Sequence, residues 1–251
     1  MKKVIKFIPI VKIINTEMGK ISSNRKGFKL IFLTALLHFF GVVVFFFAGG
    51  KKLINTKFNL FLHLLRFFSW WSVHTSILTI WATILVRKER KKSFSYFSQF
   101  IVFLATIYNL ITFFFWNYCL LFLSVGWEKS WFLNIQLVLW HFFAPLAAIV
   151  YFYLYGQIKN LVQKLIKTLA LIFISPLFYF FYVYILAKIN HPTSSLFPYM
   201  EKYPYPIFEW IAERKWKPFI FNFLSACLIF LVIAGLIIWT KWLRGRRKKV
   251  F

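Results

Sequence analysis

The sequence predicts an all-α polytopic membrane protein with six transmembrane helices and both termini on the cytoplasmic side. Three observations carry that reading. Apolar residues fill 61% of the 251 positions, well above the roughly 45–50% of a soluble domain. Six apolar stretches, at about 30–48, 65–86, 99–124, 133–155, 168–188 and 218–239, each approach the roughly 20 helical residues that cross a hydrocarbon core. The charge is lopsided, with 32 Lys and Arg against six acids for a net +26. Most of the basic residues lie in the loops and tails. Such apolarity excludes disorder. None of the stretches alternates polar and apolar residues, so a barrel is not expected. Each must be helical, because unpaired backbone groups cannot face lipid.

Taken in order, residues 1–29 form a basic segment. Its start, Met1-Lys2-Lys3 followed by an apolar run, is similar to a signal peptide. Lys6 and Lys12 interrupt the run and no small-residue cleavage site follows, so an interfacial amphipathic segment is expected instead. This segment carries Lys2, Lys3, Lys6, Lys12, Lys20, Arg25, Lys26 and Lys29. The loop after the second span carries Arg87, Lys88, Arg90, Lys91 and Lys92. The loop after the fourth carries Lys159, Lys164 and Lys167. The tail at 241–251 carries Lys241, Arg244, Arg246, Arg247, Lys248 and Lys249. These 22 basic residues share one side, against 10 on the other with four of the six Glu. Basic loops stay in the cytoplasm, which orients both termini inward in a plasma membrane. The same charge explains itself through topology and anionic lipid, and no nucleic-acid motif is present.

The external loop at about 189–217 holds Pro192, Pro198, Pro204 and Pro206, which prevent a helix. Tyr203 and Tyr205 suit the headgroup level. The loop either anchors the last span as a cap or covers an outward-opening lipid pocket as a lid. Cys119 and Cys227 lie inside spans and are expected to pack. His38, His63, His74, His141 and His191 lack metal-ligand spacing, so neither a metal nor a cofactor is expected.

Polar groups inside the membrane are the place to look for function. No carboxylate lies within a span, which removes acid-based proton relays, aspartic proteolysis and a Ser-His-Asp triad. The second span carries Ser72, Thr75, Ser76 and Thr79 at i, i+3, i+4 and i+7, on one face. Ser72 lies about 10 Å below the outer end at 1.5 Å per residue. His141, in the fourth span, lies about 12 Å deep on a face shared with Ala144, Pro145 and Ala148. Asn117 belongs near the same level. The plainer reading is that these hydroxyls and this imidazole bond across helices or to their own backbone. His74 points away from Ser72, and His38 is a further candidate.

Three pieces resemble a known pattern: Phe68-Ser69-Trp70-Trp71-Ser72-Val73-His74-Thr75-Ser76, Trp140-His141-Phe142-Phe143-Ala144-Pro145, and Tyr203-Pro204-Tyr205-Pro206. In order and spacing they are similar to bacterial six-span proteins with a YPYP-type loop. They are also similar to the uncharacterised six-span family of wall-less bacteria, and distantly to the androgen-induced and androgen-dependent TFPI-regulating family of intramembrane hydrolases. That resemblance implies hydrolysis of lipid esters, with Ser72 as nucleophile where the family has Thr, His141 as base, and Thr75 as the alternative hydroxyl. Asn117, Trp71 and Trp140 are candidate oxyanion donors, and membrane lipids are the expected partners. A non-catalytic lipid binder and a structural membrane protein are the competing expectations.

Overall fold

The computed structural model describes residues 25–53, 68, 71–89, 94–122, 131–189 and 216–247. The helices, in chain order, are α1 Arg25–Leu53, α2 Trp71–Glu89, α3 Tyr96–Phe122 and α4 Trp131–Val138. A π-helical turn, Leu139–Phe143, then runs directly into α5, Ala144–Tyr155. The chain continues through α6 Lys159–Gln163, α7 Leu165–Ile189 and α8 Trp216–Arg247. Among the described residues there is no strand. Five stretches are long and apolar enough to cross a membrane: Lys26–Phe47, Tyr96–Asn117, Trp131–Tyr155, Leu165–Tyr182 and Phe223–Lys241.

The expected second span differs from these five. As α2 it is 19 residues long, and Ser72, His74, Thr75, Ser76, Thr79 and Thr83 dilute its hydropathy. Those hydroxyls point inward and are buried, while Ile77, Trp81 and Ile84 face outward. The whole molecule shares this inverted pattern. Thr34, His38, Thr75, Ser76 and Asn109 have no exposure, whereas Phe178 is 74% and Phe221 71% exposed. An apolar exterior around a polar interior is the arrangement lipid demands, because a buried polar group then finds its partners within the protein.

The helices form a ring and an attached pair. α1 packs against α2 and α5, and α3 closes the ring by packing against the same two. α7 pairs with α8, and α8 also reaches α3. Two prolines lie within spans, and each has a local remedy. Pro176 lacks the N–H that would bond the Ile172 carbonyl; the Ser175 hydroxyl donates to that carbonyl instead, at 2.9 Å. Pro145 likewise leaves the His141 carbonyl without its i+4 donor. Immediately before it the helix widens, and the Ala144 N–H bonds the Leu139 carbonyl five residues back. The expected unbroken fourth span is therefore a helix with a π turn centred on His141, a distortion that recurs at functional sites.

One end of the bundle is strongly basic. There α1 starts close against α5, since a Cβ on Gly27 would lie 2.8 Å from the Tyr155 ring. The Thr83 hydroxyl of α2 lies 3.3 Å from the Ile31 carbonyl of α1. Asn160 N–H donates to Gln99 Oε1 at 2.9 Å, tying α6 to α3. Lys241 Nζ, buried in α8, donates to the Gly156 carbonyl at 2.7 Å. These contacts gather Lys26, Lys29, Arg87, Lys88, Lys159, Lys164, Lys167 and Lys241 at one end. α8 continues to Arg247, so the expected tail at 241–251 is largely a helical extension of the last span. α1 likewise begins inside the expected 1–29 segment.

Candidate functional site: a saturated polar layer beneath an open one

The inward face of α2 meets α1, α3 and the π turn in a polar layer. Every hydroxyl from Thr75 to Thr83 on that face bonds the carbonyl one turn back. Thr75 Oγ1 donates to Trp71 O at 3.1 Å, Thr79 Oγ1 to Thr75 O at 2.8 Å, and Thr83 Oγ1 to Thr79 O at 2.9 Å. Cross-helix bonds add to this. Thr75 and Thr112 hydroxyls lie 3.0 Å apart, and Asn109 Nδ2 donates to Thr79 Oγ1 at 2.8 Å and to Ala105 O at 2.8 Å.

His38 stands at the centre. Its Nε2 is 2.9 Å from Asn109 Oδ1 and its Nδ1 is 2.9 Å from Ser76 Oγ. The bonding network assigns the tautomer. Asn109 Nδ2 spends its donors on Ala105 O and Thr79 Oγ1, so Oδ1 can only accept, and His38 Nε2–H donates to it. In the neutral ring Nδ1 is then an acceptor, and the hydroxyl facing it is that of Ser76. Ser76 Oγ also receives Trp140 Nε1–H at 2.8 Å, and its single proton is shared between His38 Nδ1 and the Ser72 carbonyl at 2.8 Å. Besides its own Cβ, Ser76 Oγ has three polar neighbours within 2.9 Å, and its hydrogen-bonding capacity is taken up by them. This hydroxyl–imidazole pair is a structural hub, not an open nucleophile.

Trp140 is held in turn by α1. Its ring lies against Gly41, where an added Cβ would fall 2.3 Å from Trp140 Cγ. Gln136 Nε2, one turn earlier, donates to the Gly41 carbonyl at 3.1 Å. Val73 of α2 joins Trp140 in a small apolar cluster with Val42, Phe45 and Phe46.

One turn outward the polar groups are differently placed. Ser72 and His141 are each 7% exposed. His141 Nδ1–H donates to the Leu137 carbonyl at 3.1 Å, which leaves Nε2 of the neutral ring as an acceptor. Its ring stacks on Trp116 at 4.2 Å between centroids and leans on Trp140 at 4.7 Å. Among the described residues neither Ser72 Oγ nor His141 Nε2 makes a hydrogen bond, and none joins the two residues. Trp116 Nε1–H is buried without a partner. The Thr75–Thr112 bond sets the register here: Ser72 is one turn outward of Thr75 on α2, and Trp116 one turn outward of Thr112 on α3. The result is an outer level with a hydroxyl, a bare imidazole nitrogen and an indole N–H, each with bonding capacity left over.

Of the other sequence candidates, Thr75, Asn117 and Trp140 have their polar groups engaged elsewhere, and Trp71 contributes ring contacts. The alternative hydroxyl, Thr75, is engaged by Trp71 O and Thr112. Asn117 Nδ2 donates to its own Phe113 carbonyl at 2.6 Å. Trp140 spends its N–H on Ser76. Trp71 stacks on Tyr108 at 4.2 Å and meets Tyr179 edge-on at 4.9 Å, binding α2 to α3 and α7. His74 Nε2–H donates to the Phe68 carbonyl at 2.6 Å. Cys227 is buried and unpaired in a disulfide sense, with its thiol toward the Phe173 carbonyl at 3.7 Å. Tyr203, Tyr205 and the rest of residues 190–215 lie outside the described residues.

Sequence reasoning passed over Asn109 and Trp116, and gave His38 little weight. Depth was the available signal for the inner layer. His38, Ser76 and Asn109 lie eight to ten residues from the basic ends of their expected spans, about 12–15 Å at 1.5 Å per residue. Trp116 had no such signal, since nothing in an aromatic-rich sequence tells which indole is left without a partner. Comparison of the chain with family models, curated proteins and solved structures found no match.

Proposed function

We propose that the chain is a six-span integral membrane protein of the plasma membrane, with both termini cytoplasmic, that hydrolyses lipid esters at an outward-facing site through Ser72 and His141. The apolar outward side of α2 supports counting it as the sixth span. The basic end of the bundle supports the inward termini. The single observation that carries the site is the contrast between layers. The polar groups beneath are hydrogen-bonded, whereas Ser72 and His141, each 7% exposed, keep Ser72 Oγ and His141 Nε2 without a hydrogen bond among the described residues, and Trp116 Nε1 beside His141 is buried without a partner. Buried polar groups are ordinarily satisfied, so unused ones mark where a ligand supplies the partner.

In this reading the Ser72 hydroxyl attacks the ester carbonyl carbon while His141 Nε2 takes its proton. The carbonyl oxygen, gaining charge, accepts from Trp116 Nε1–H, a donor that is stronger for its low-dielectric surroundings. The ester C–O bond breaks and His141 returns the proton to the departing alcohol. Water then attacks the acyl carbonyl carbon, giving a proton to His141; the acyl C–Oγ bond breaks, His141 returns that proton to Ser72 Oγ, and the carboxylic acid leaves. The Leu137 carbonyl fixes the imidazole tautomer, a task a carboxylate performs in triads. The absence of a Ser72–His141 hydrogen bond favours a second reading, a non-catalytic binder of the same ester-bearing lipids.

A fluorophosphonate probe on membranes separates the two. Catalysis requires labelling of the wild type that disappears in both Ser72→Ala and His141→Ala. Unlabelled wild type that still retains a lipid ester on purification would establish the binder. Labelling that survives Ser72→Ala and vanishes in Thr75→Ala would move the nucleophile one turn inward.

A further inference from the structure

We propose that the basic end holds a site for the phosphate headgroup of an anionic phospholipid, formed around Tyr96 by Lys164, at the α6–α7 junction, and Lys167, in the first turn of α7. Lys164 Nζ lies 5.0 Å and Lys167 Nζ 5.6 Å from the centroid of the same Tyr96 ring. That ring is fixed in place. Thr168 Oγ1 gives its proton to the Leu161 carbonyl at 3.1 Å and so accepts from Tyr96 Oη at 3.2 Å.

Two ammonium groups drawn to one ring repel each other, and the ring's attraction compensates only in part. Among the described residues no carboxylate meets either of them. Glu89 is the one acid described, and its carboxylate accepts from the Ser95 N–H and hydroxyl at 2.8 and 2.9 Å. Two positive charges thus meet one ring with no anion beside them among the described residues. Between the two lysines stand Leu165 and Ile166, exposed at 37% and 87%. A site for a dissolved anion has no use for such side chains. At a bilayer surface they enter the acyl region while the ammonium groups stay level with the phosphates, as amphipathic interfacial segments do. Apolar exposure beside paired cations thus selects a lipid phosphate over a free one. This inference is independent of the ester chemistry at Ser72.

The test uses the full chain purified in a zwitterionic detergent, with its thermal midpoint followed against added dioleoylphosphatidylglycerol, dioleoylphosphatidylcholine or inorganic phosphate. Phosphatidylglycerol is expected to raise the midpoint saturably, with phosphatidylcholine and phosphate giving no comparable rise. Lys164→Gln/Lys167→Gln should weaken the apparent phosphatidylglycerol affinity roughly thirtyfold, the effect of two basic residues near an anionic surface. Arg87→Gln/Lys88→Gln, at the same end, should leave it within a few-fold. If the lysine pair lowers expression, Lys164→Arg/Lys167→Arg offers a second reading, since it should retain the affinity. An equal response to inorganic phosphate would replace the lipid by a soluble anion. Equal losses in both Gln pairs would reduce the site to diffuse surface charge, and an unchanged affinity in Lys164→Gln/Lys167→Gln would remove it.

Discussion

Replacing Gly41 by Ala adds one methyl group at the point where α1 and the π turn touch. The new Cβ would lie 2.3 Å from Trp140 Cγ and 2.6 Å from Cδ1, closer than real carbon contacts come. The ring must move, and with it the indole N–H that reaches Ser76 Oγ at 2.8 Å. Forced overpacking costs about 1–3 kcal/mol, and the intramembrane hydrogen bond adds about 0.6 kcal/mol. Ala also gains helix propensity over Gly, which obscures the comparison with wild type. Gly235→Ala in α8 removes that ambiguity. It makes the same chemical change where an added Cβ meets nothing within 4 Å, so it should gain about 0.8–1 kcal/mol from propensity alone. The gap between the two variants is therefore expected to be about 2–4 kcal/mol, the sum of the overpacking and hydrogen-bond costs. Equilibrium unfolding of the detergent-solubilised chain measures it. In a Trp140→Ala background, where the ring is gone, most of the gap should close. Equal stability of Gly41→Ala and Gly235→Ala would refute the close approach of α1 to Trp140 and, with it, the buttress beneath His141.

Further outcomes follow from the same geometry. Asn109→Ala removes the acceptor of His38 Nε2–H and the donor to Thr79; unfolding should show a loss of about 1–3 kcal/mol, two intramembrane bonds at up to about 1.7 kcal/mol each. If Ser76 is a hub, Ser76→Ala should lower stability by a similar order while leaving any fluorophosphonate labelling at Ser72 in place; lost labelling in a folded Ser76→Ala protein would contradict the inner layer's structural role. Gly156→Ala should be more harmful than Gly27→Ala. Its Cβ would meet the Phe152 carbonyl oxygen at 2.6 Å, a backbone atom that cannot turn aside, whereas Gly27 faces only the Tyr155 ring at 2.8 Å; thermal midpoints rank the two. For topology, single cysteines at Ser93 and Ser195 should be labelled by an impermeant maleimide from inside and outside respectively, and labelling of position 93 in intact cells would reverse the orientation.

The helices of this protein are written in its composition. Lipid leaves a long apolar segment no alternative to internal hydrogen bonding, so the positions of α3 and α7 follow from hydropathy to within a few residues, while α1 and α8 extend beyond their expected spans by up to eight. The basic residues of 25–29, 87–88, 159–167 and 241 announce that their segments share an end, because charge avoids the hydrocarbon. The stripe from Ser72 to Thr79 declares which side of α2 turns inward, since a helical period repeats it on one face. Depth along a helix can be counted in the same way, and it brought Ser72, His141 and Asn117 to a common level. Rotation about each helix axis cannot be counted, because it depends on how four neighbours interlock. Tertiary packing alone decided that His38 and not His141 meets a hydroxyl, that Asn117 turns back on the Phe113 carbonyl, and that Trp140 spends its N–H on Ser76. Pro145 advertised a disturbance in the fourth span, but the π turn that presents His141 to Trp116 required Gly41 on the facing helix to make room for Trp140. The polar centre thus depends on contacts between residues far apart in sequence, each too ordinary in isolation to signal its partner.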